Sequence, residues 1–334
     1  MREARDVRWS FQAEGPCSFS LPCRGAAVVY STSMMIRILG TIFAGLLGLA
    51  FGSFLNVCLS RWPEDESVVE PRSHCRQCGR TLAWRENVPL VSWLALRGRC
   101  RSCRAWIGWR YPLVEFSVGL LWALAAWQAL VLMQNLFAYN FSPLRWIEID
   151  FLHFIGNLVF IWLLVALAFL DAEHLWLPDR LTIPGIVLGF LYSFGDYLLH
   201  HGFSFQQTDT TPSLFGTLVT QMLSILVAAG LILAIRWTYR LIRRREGIGL
   251  GDAKLMAMLA AWLGLSGALL SFGLGVLLGS MAGLALLAMR SGKLDTDYWA
   301  AKKLPLGTFL CIGGIVSSLW GERLIGIYRS WAGF

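Results

Sequence analysis

The sequence predicts an all-α fold, a polytopic helical membrane bundle of about eight spans with one small loop domain on its basic side. Three observations predict it: scarce charge, apolar residues gathered in long blocks, and a one-sided distribution of Lys and Arg. Of 334 residues, 56% are hydrophobic and 15% charged, whereas a soluble domain carries about 25% charged residues. The apolar blocks run over 36–59, 112–133, 151–170, 181–199, 214–235 and 304–319, with two more inside 252–289, broken near Gly264-Leu-Ser266-Gly267. Crossing the hydrocarbon core takes roughly 20 apolar residues as a helix. A barrel would need short alternating segments, and the chain has none; a very hydrophobic soluble bundle would not need so many unbroken blocks.

The formal charge of +8 is a topology signal, not a nucleic-acid footprint. With 61–111 placed in the cytoplasm, successive cytoplasmic loops hold ten Lys/Arg in 61–111, one in 171–180, five in 236–251 and four in 290–303. The opposite loops hold one in 134–150 and none in 200–213. This is the positive-inside pattern, and it predicts the lipid bilayer, not nucleic acid, as the chain's surroundings. The expected organisation is an N-terminal extension over 1–35, a first span over 36–59, a cytoplasmic loop over 60–111 and a membrane core over 112–334. The extension has no signal-peptide architecture; Met34 or Met35 is the expected true start, with the upstream segment disordered or untranslated.

The loop carries Cys75-Arg-Gln-Cys78 and Cys100-Arg-Ser-Cys103, two Cys-x-x-Cys pairs separated by 21 residues. Each short turn aims two thiolates at one point, which suits tetrahedral zinc, and Gly79 would ease the first turn. The competing readings are two disulfides or a thiol redox pair. Disulfides are disfavoured in a reducing compartment, and a redox motif needs one pair, not two. The zinc would be structural, folding a loop too small for its own core, because four thiolates leave no position for water. Cys58 and Cys311, inside apolar blocks, read as small core residues.

Ionisable residues in or beside spans are functional candidates by default. Asp171 ends the third block, Asp179 follows in Leu177-Pro-Asp179, and Asp252 sits in Gly249-Leu-Gly251-Asp252-Ala-Lys254. All three fall at one depth on the cytoplasmic side; Asp196 lies near the opposite face and reads as solvated. Peptide hydrolysis without a metal or a nucleophile needs one carboxylate to take a proton from water and a second to give one up. Two close carboxyls share a proton and so supply both forms. Asp171 and Asp252 are therefore the candidate catalytic pair, with no metal in the proteolytic step. Each alone could be a helix cap or boundary residue, and Asp252, after glycines and before a helical run, is placed at an N-cap. Asp179 reads equally as a cap or as support for the site. Gly249, Gly251 and Lys254 are the other supporting candidates.

Several segments together resemble the prepilin peptidase family of GxGD-type aspartic peptidases. They are Gly52-Ser-Phe-Leu-Asn56-Val57, Pro71 to Gly79 with the first cysteine pair, Asn87 to Leu94, Leu96 to Cys100, Arg110 to Glu115, Asp171 through Thr182, and Gly249 to Leu255. The resemblance covers about residues 45–320 in order. It implies a bacterial inner-membrane enzyme that cuts the short basic leader from type IV prepilins or type II secretion pseudopilins at the cytoplasmic face, after a glycine. Asp171 and Asp252 match the family's catalytic aspartates. The retained cysteine loop further implies N-methylation of the new N-terminus with S-adenosylmethionine. Arg104 to Trp109 departs from the family pattern of Pro and Ser after the second cysteine pair, and the 200–213 loop is longer than usual.

Rival readings are weaker. Presenilin-like proteases resemble the chain only at Gly249 to Asp252 and lack the cysteine loop. A serine rhomboid would use Ser266, but all five histidines precede residue 202, and the tetrad reads as a bend between spans. A transporter or zinc-loop scaffold would also be polytopic with buried acids.

Overall fold

Long uninterrupted apolar sequence leaves a backbone in lipid no partner but itself, so helices dominate. The computed structural model describes residues 22–138, 143–201, 213–244, 249–288 and 304–333. Helix α1 spans Pro22–Arg61, and after a loop with a short α2 (Val91–Ala95) come α3 (Arg110–Ala138) and α4 (Pro143–His174). Then follow α5 (Asp179–His201), α6 (Leu214–Arg243), α7 (Leu250–Ala288) and α8 (Leu306–Ala332). Seven of the described helices are long and apolar enough to cross a membrane. Residues 1–21 of the expected N-terminal extension lie outside the described residues, as do 139–142 and most of the 200–213 and 290–303 loops; the rest of the expected 134–150 loop is helix, since α3 runs on to Ala138 and α4 starts at Pro143.

Helix α7 is two legs, not one rod. Gly264 breaks it with φ 68° and ψ −179°, a backbone region open to glycine. The second leg runs antiparallel to α8: a Cβ on Gly313 would lie 2.3 Å from the Ser271 carbonyl oxygen, one on Gly275 3.1 Å from the Leu310 amide, and one on Gly283 3.4 Å from Leu304. Ser317 closes the far end with a 3.1 Å hydrogen bond to the Gly267 carbonyl. The first leg rises beside α5, where Trp262 Nε1 donates to the Gly185 carbonyl at 2.8 Å. Chain direction thus reverses at Gly264, and the bend expected at this tetrad exists. Ser266 is exposed at that turn, a full leg away from Asp252.

Small residues let the helices close. Helix α1 meets α3 along Gly45, Gly48 and Gly52; a Cβ on Gly48 would sit 2.9 Å from Gly119 Cα, and one on Gly52 2.7 Å from Glu115 Cα. Such small-residue seams drive helix association where lipid removes the hydrophobic incentive. Phe160, Trp262 and Tyr192 stack through the centre, with ring centroids 5.0 and 5.2 Å apart. Large apolar side chains such as Phe43, Leu46, Phe215 and Leu226 point outward, as a lipid-facing surface requires.

Gly313→Ala tests the packing of α7 on α8. The added methyl meets backbone, which cannot swing aside, so the variant should lose about 1–3 kcal/mol, read as a lower unfolding midpoint of the detergent-solubilised protein.

Candidate active site

The first turn of any helix leaves N–H groups without partners. Helix α8 starts after Pro305, which offers no side-chain cap, and a carboxylate from another helix takes that role. Asp171, on the last turn of α4 and buried to 5% exposure, accepts from the Thr308 amide at 2.6 Å. The Thr308 hydroxyl lies 3.1 Å from the same Oδ2 and 3.0 Å from the Ala168 carbonyl. A negative group at this end is favoured by the helix dipole as well as by the direct bond.

Asp252 is also buried, but its place differs from the expected one. It is the third residue of α7, not its N-cap, because the helix starts at Leu250. Its Oδ2 reaches back to accept from the Gly249 amide at 3.2 Å, which is half of a capping box. Asp171 and Asp252 lie close enough for their charges to interact. Leu177 wedges between the motifs: a Cβ on Gly251 would stand 3.1 Å from its Cβ, and one on Gly307 3.0 Å from its Cδ1 and 2.9 Å from Asp171 Cγ. Three chain segments therefore meet at the two carboxyls, with no room for a side chain at Gly307 and a tight fit for one at Gly251.

The remaining candidates hold the periphery. Asp179 opens α5 and pairs with Lys254 on α7, Oδ1 to Nζ 2.5 Å apart. Arg180 pairs with Asp65, and Arg110 with Glu173, each at 2.9 Å. Exposed pairs contribute about 0–1 kcal/mol each, so their effect is to position the 171–180 segment against α7, α3 and the loop. Asp196 is half-buried, not simply solvated, with Oδ1 3.2 Å from His153 Nε2.

Thr308, Gly307, Leu177, Arg110 and Glu173 were not legible as site residues. The available signal was Pro305 opening the last apolar block, which marks a helix start whose free amides need an acceptor.

In the loop, the four sulfurs of Cys75, Cys78, Cys100 and Cys103 lie within 4.8 Å of one another, with Cys75 and Cys103 Sγ 3.7 Å apart. A disulfide needs about 2.05 Å. Four thiolates at about 2.3 Å from one ion stand roughly 3.8 Å from each other, so this set fits a tetrahedral metal. The two turns are built alike. The Cys75 amide donates to the Arg80 carbonyl at 2.9 Å and the Cys100 amide to the Ala105 carbonyl at 2.8 Å. The backbone amides of Cys103 and Ser102 draw the Cys100 thiol down to about 6, whereas burial and the neighbouring sulfurs, against the Ala105 amide, push Cys103 up to about 11: crowding four sulfurs together makes one thiolate at the expense of the next. Gly79 has φ 69°, and its twin in the second turn is Arg104 at φ 61°. The departure at 104–109 has a local role: Trp106 and Trp109 pack on Trp93, with centroids 6.0 and 4.5 Å away. The loop thus carries a partly exposed aromatic cluster beside its cysteines. Cys58 and Cys311 are buried in the bundle, as expected of core residues.

Two family models match: the bacterial peptidase A24 N-terminal domain over residues 46–129 and the type IV leader peptidase family over residues 158–284. A prepilin leader peptidase/N-methyltransferase of Pseudomonas aeruginosa is 32% identical over 312 residues, 86% of this chain and 93% of that protein. One of the same description from Aeromonas hydrophila is 33% identical over 303 residues, 84% and 90%. Another from Myxococcus xanthus is 38% identical over 222 residues, 66% and 56%. No solved structure matches the chain.

Gly79→Ala forces a Cβ into the left-handed region, at a cost of about 1–2 kcal/mol. The variant should surrender bound metal to a chelator several-fold faster than the parent, followed by a colorimetric dye.

Proposed function

The chain belongs to the type IV leader peptidase family, and from that premise we propose that it is a membrane aspartic endopeptidase with Asp171 and Asp252 as its catalytic pair. Its substrates are type IV prepilins or type II secretion pseudopilins, whose short basic leader it removes, and it then N-methylates the new N-terminus. The observation that carries this reading is the meeting of two buried carboxyls from α4 and α7 beneath the first turn of α8.

Chemistry follows from that pairing. Two carboxyls this near share one proton, so one can accept from an attacking water while the other donates to the scissile carbonyl or the leaving amine. Thr308 holds the Asp171 carboxyl in one orientation through its amide, and Gly249 does the same for Asp252. Both proton transfers belong to carboxyls, so the proteolytic step uses no metal. Gly251 and Gly307 leave room for Leu177 between the two helix starts, and Gly307 lets Asp171 approach α8; Lys254 and Asp179 support the geometry from outside.

The positive-inside charge pattern supports a cytoplasmic site in a bacterial inner membrane. The four cysteines would hold a structural zinc, which would fix the two turns and supply no chemistry to the cleavage. A transporter or zinc-loop scaffold is the second reading, favoured only by the polytopic architecture and the buried acids.

Co-expression with a prepilin separates them. Asp171→Asn and Asp252→Asn should each slow leader removal by at least 10²–10⁴-fold, with the protein still inserted and still loaded with metal. Full cleavage by either variant would exclude the pair. Metal analysis of the purified parent should give one zinc per chain, and Cys75→Ser together with Cys100→Ser should abolish it and make the 61–111 loop sensitive to protease.

A further inference from the structure

Helix α3 carries a lipid-facing stripe that does not stop at its first residue. Leu113, Phe116 and Leu120 are exposed along one side of the span, at spacings of three and four residues that share a helix face. Trp109 stands one turn before Leu113, and its carbonyl accepts from the Leu113 amide at 3.2 Å, so it carries the stripe into the loop. Trp93 of α2 packs on Trp109, with ring centroids 4.5 Å apart, and Trp106 lies 6.1 Å from Trp109. The Leu90 amide, just before α2, is tied to Glu115 on α3 at 2.8 Å. What these contacts leave outward is apolar: Val91, Leu94, Trp106 and Trp109 are 55–67% exposed. A loop bathed only in water gains nothing by gathering four large apolar side chains on its surface. Arginines surround them. Arg99 lies directly opposite Trp106 in an antiparallel bridge, which puts both side chains on one side of that ribbon. Arg97 and Arg104 each stand two residues from this pair in sequence. All three arginines are exposed, and among the described residues none of them forms an ion pair.

We propose that the outward face of α2, with Trp106 and Trp109, is a membrane-docking surface that beds the cysteine loop on anionic phospholipid headgroups of the cytoplasmic leaflet. Val91, Leu94 and the two tryptophans lie at the headgroup boundary, and Arg97, Arg99 and Arg104 take the phosphates. The assignment needs only that α3 crosses the bilayer and does not depend on the peptidase chemistry. Continuity selects lipid as the occupant. Acyl chains cover the stripe on α3, so the surface that prolongs it meets the headgroups next, and a protein partner there would have to strip lipid from Leu113 as well. Side-chain chemistry agrees with that depth. Tryptophan, an apolar ring with one N–H, gathers where bilayer meets water. Basic residues beside a span draw anionic lipid, and the planar guanidinium matches a phosphate. Trp93 is turned inward instead, its Nε1 donating to the Ile107 carbonyl at 3.1 Å, and so ties the docked surface to the loop. Cys100 and Cys103 lie between Arg99 and Arg104 in the chain, so docking these arginines sets the height of the second cysteine turn above the membrane.

Amide hydrogen exchange of the full-length protein in nanodiscs of phosphatidylglycerol or of phosphatidylcholine tests the surface. The segment 90–109 should exchange several-fold more slowly in phosphatidylglycerol, and the difference should shrink as salt is raised. Arg97→Gln, Arg99→Gln and Arg104→Gln combined should erase the difference while exchange across α4 and α7 stays as in the parent. A photoreactive p-benzoylphenylalanine in place of Leu94 keeps all three arginines and reads the surface independently of that variant. On irradiation it should gain the mass of one phospholipid, in higher yield from phosphatidylglycerol than from phosphatidylcholine. Equal exchange in the two lipids without a lipid adduct would overturn the proposal, as would adducts formed only with a second copy of the chain or with a co-reconstituted prepilin. Lipid adducts of equal yield, with equal exchange, would overturn the choice of anionic headgroups.

Discussion

The carboxyl of Asp171 under the first turn of α8 is the contact on which the rest of the arrangement depends. It joins residues far apart in sequence through the Thr308 amide at 2.6 Å, and it can form only if α8 starts on the side where α4 ends. That requirement fixes the parity of the chain between them. Were α7 a single crossing, the start of α8 would lie on the opposite side from Asp171. The reversal at Gly264 restores the count, so one glycine at φ 68° and one helix cap far from it are two ends of the same topological constraint.

Glycine does a different job near the carboxyls. At Gly251 and Gly307 the backbone is ordinary helix, and what matters is the missing side chain. Leu177 fills the space, touching both turns, and the Leu177-Pro-Asp179 sequence then turns into α5. A leucine wedge between two glycines positions two acids more firmly than their exposed ion pairs could, since packing against backbone has no compliant partner. Lys254 and Asp179, about 40% and 57% exposed, are screened by water and add orientation more than energy.

Legibility in the sequence followed the range of the interaction. Apolar blocks, the break near Gly264 and the paired cysteines are local patterns, and each came through. Asp171 and Asp252 stood out because charge beside a span is costly. Their immediate partners did not stand out, because Thr308 is an unremarkable threonine until α8 is brought to α4. Asp252 was misplaced by three positions, since a Gly-x-Gly-Asp run gives no sign of which glycine precedes the helix. Arg104 to Trp109 read as a departure from a pattern, and only the folded loop shows two of its tryptophans packing on Trp93.

The loop and the carboxyls are built by different rules and still share a face. The loop gets its rigidity from two matched turns and an aromatic cluster, the carboxyl site from helix ends and small residues. Glu115 belongs to both regions: it lies on the first turns of α3, accepts from the Leu90 amide in the loop, and backs onto Gly52 of α1. Arg110, one turn earlier on α3, reaches Glu173 beside Asp171. The first turns of α3 therefore bind the loop to α1 on one side and to the end of α4 on the other. A shift of the loop would be transmitted through this short stretch of helix to the segment carrying Leu177.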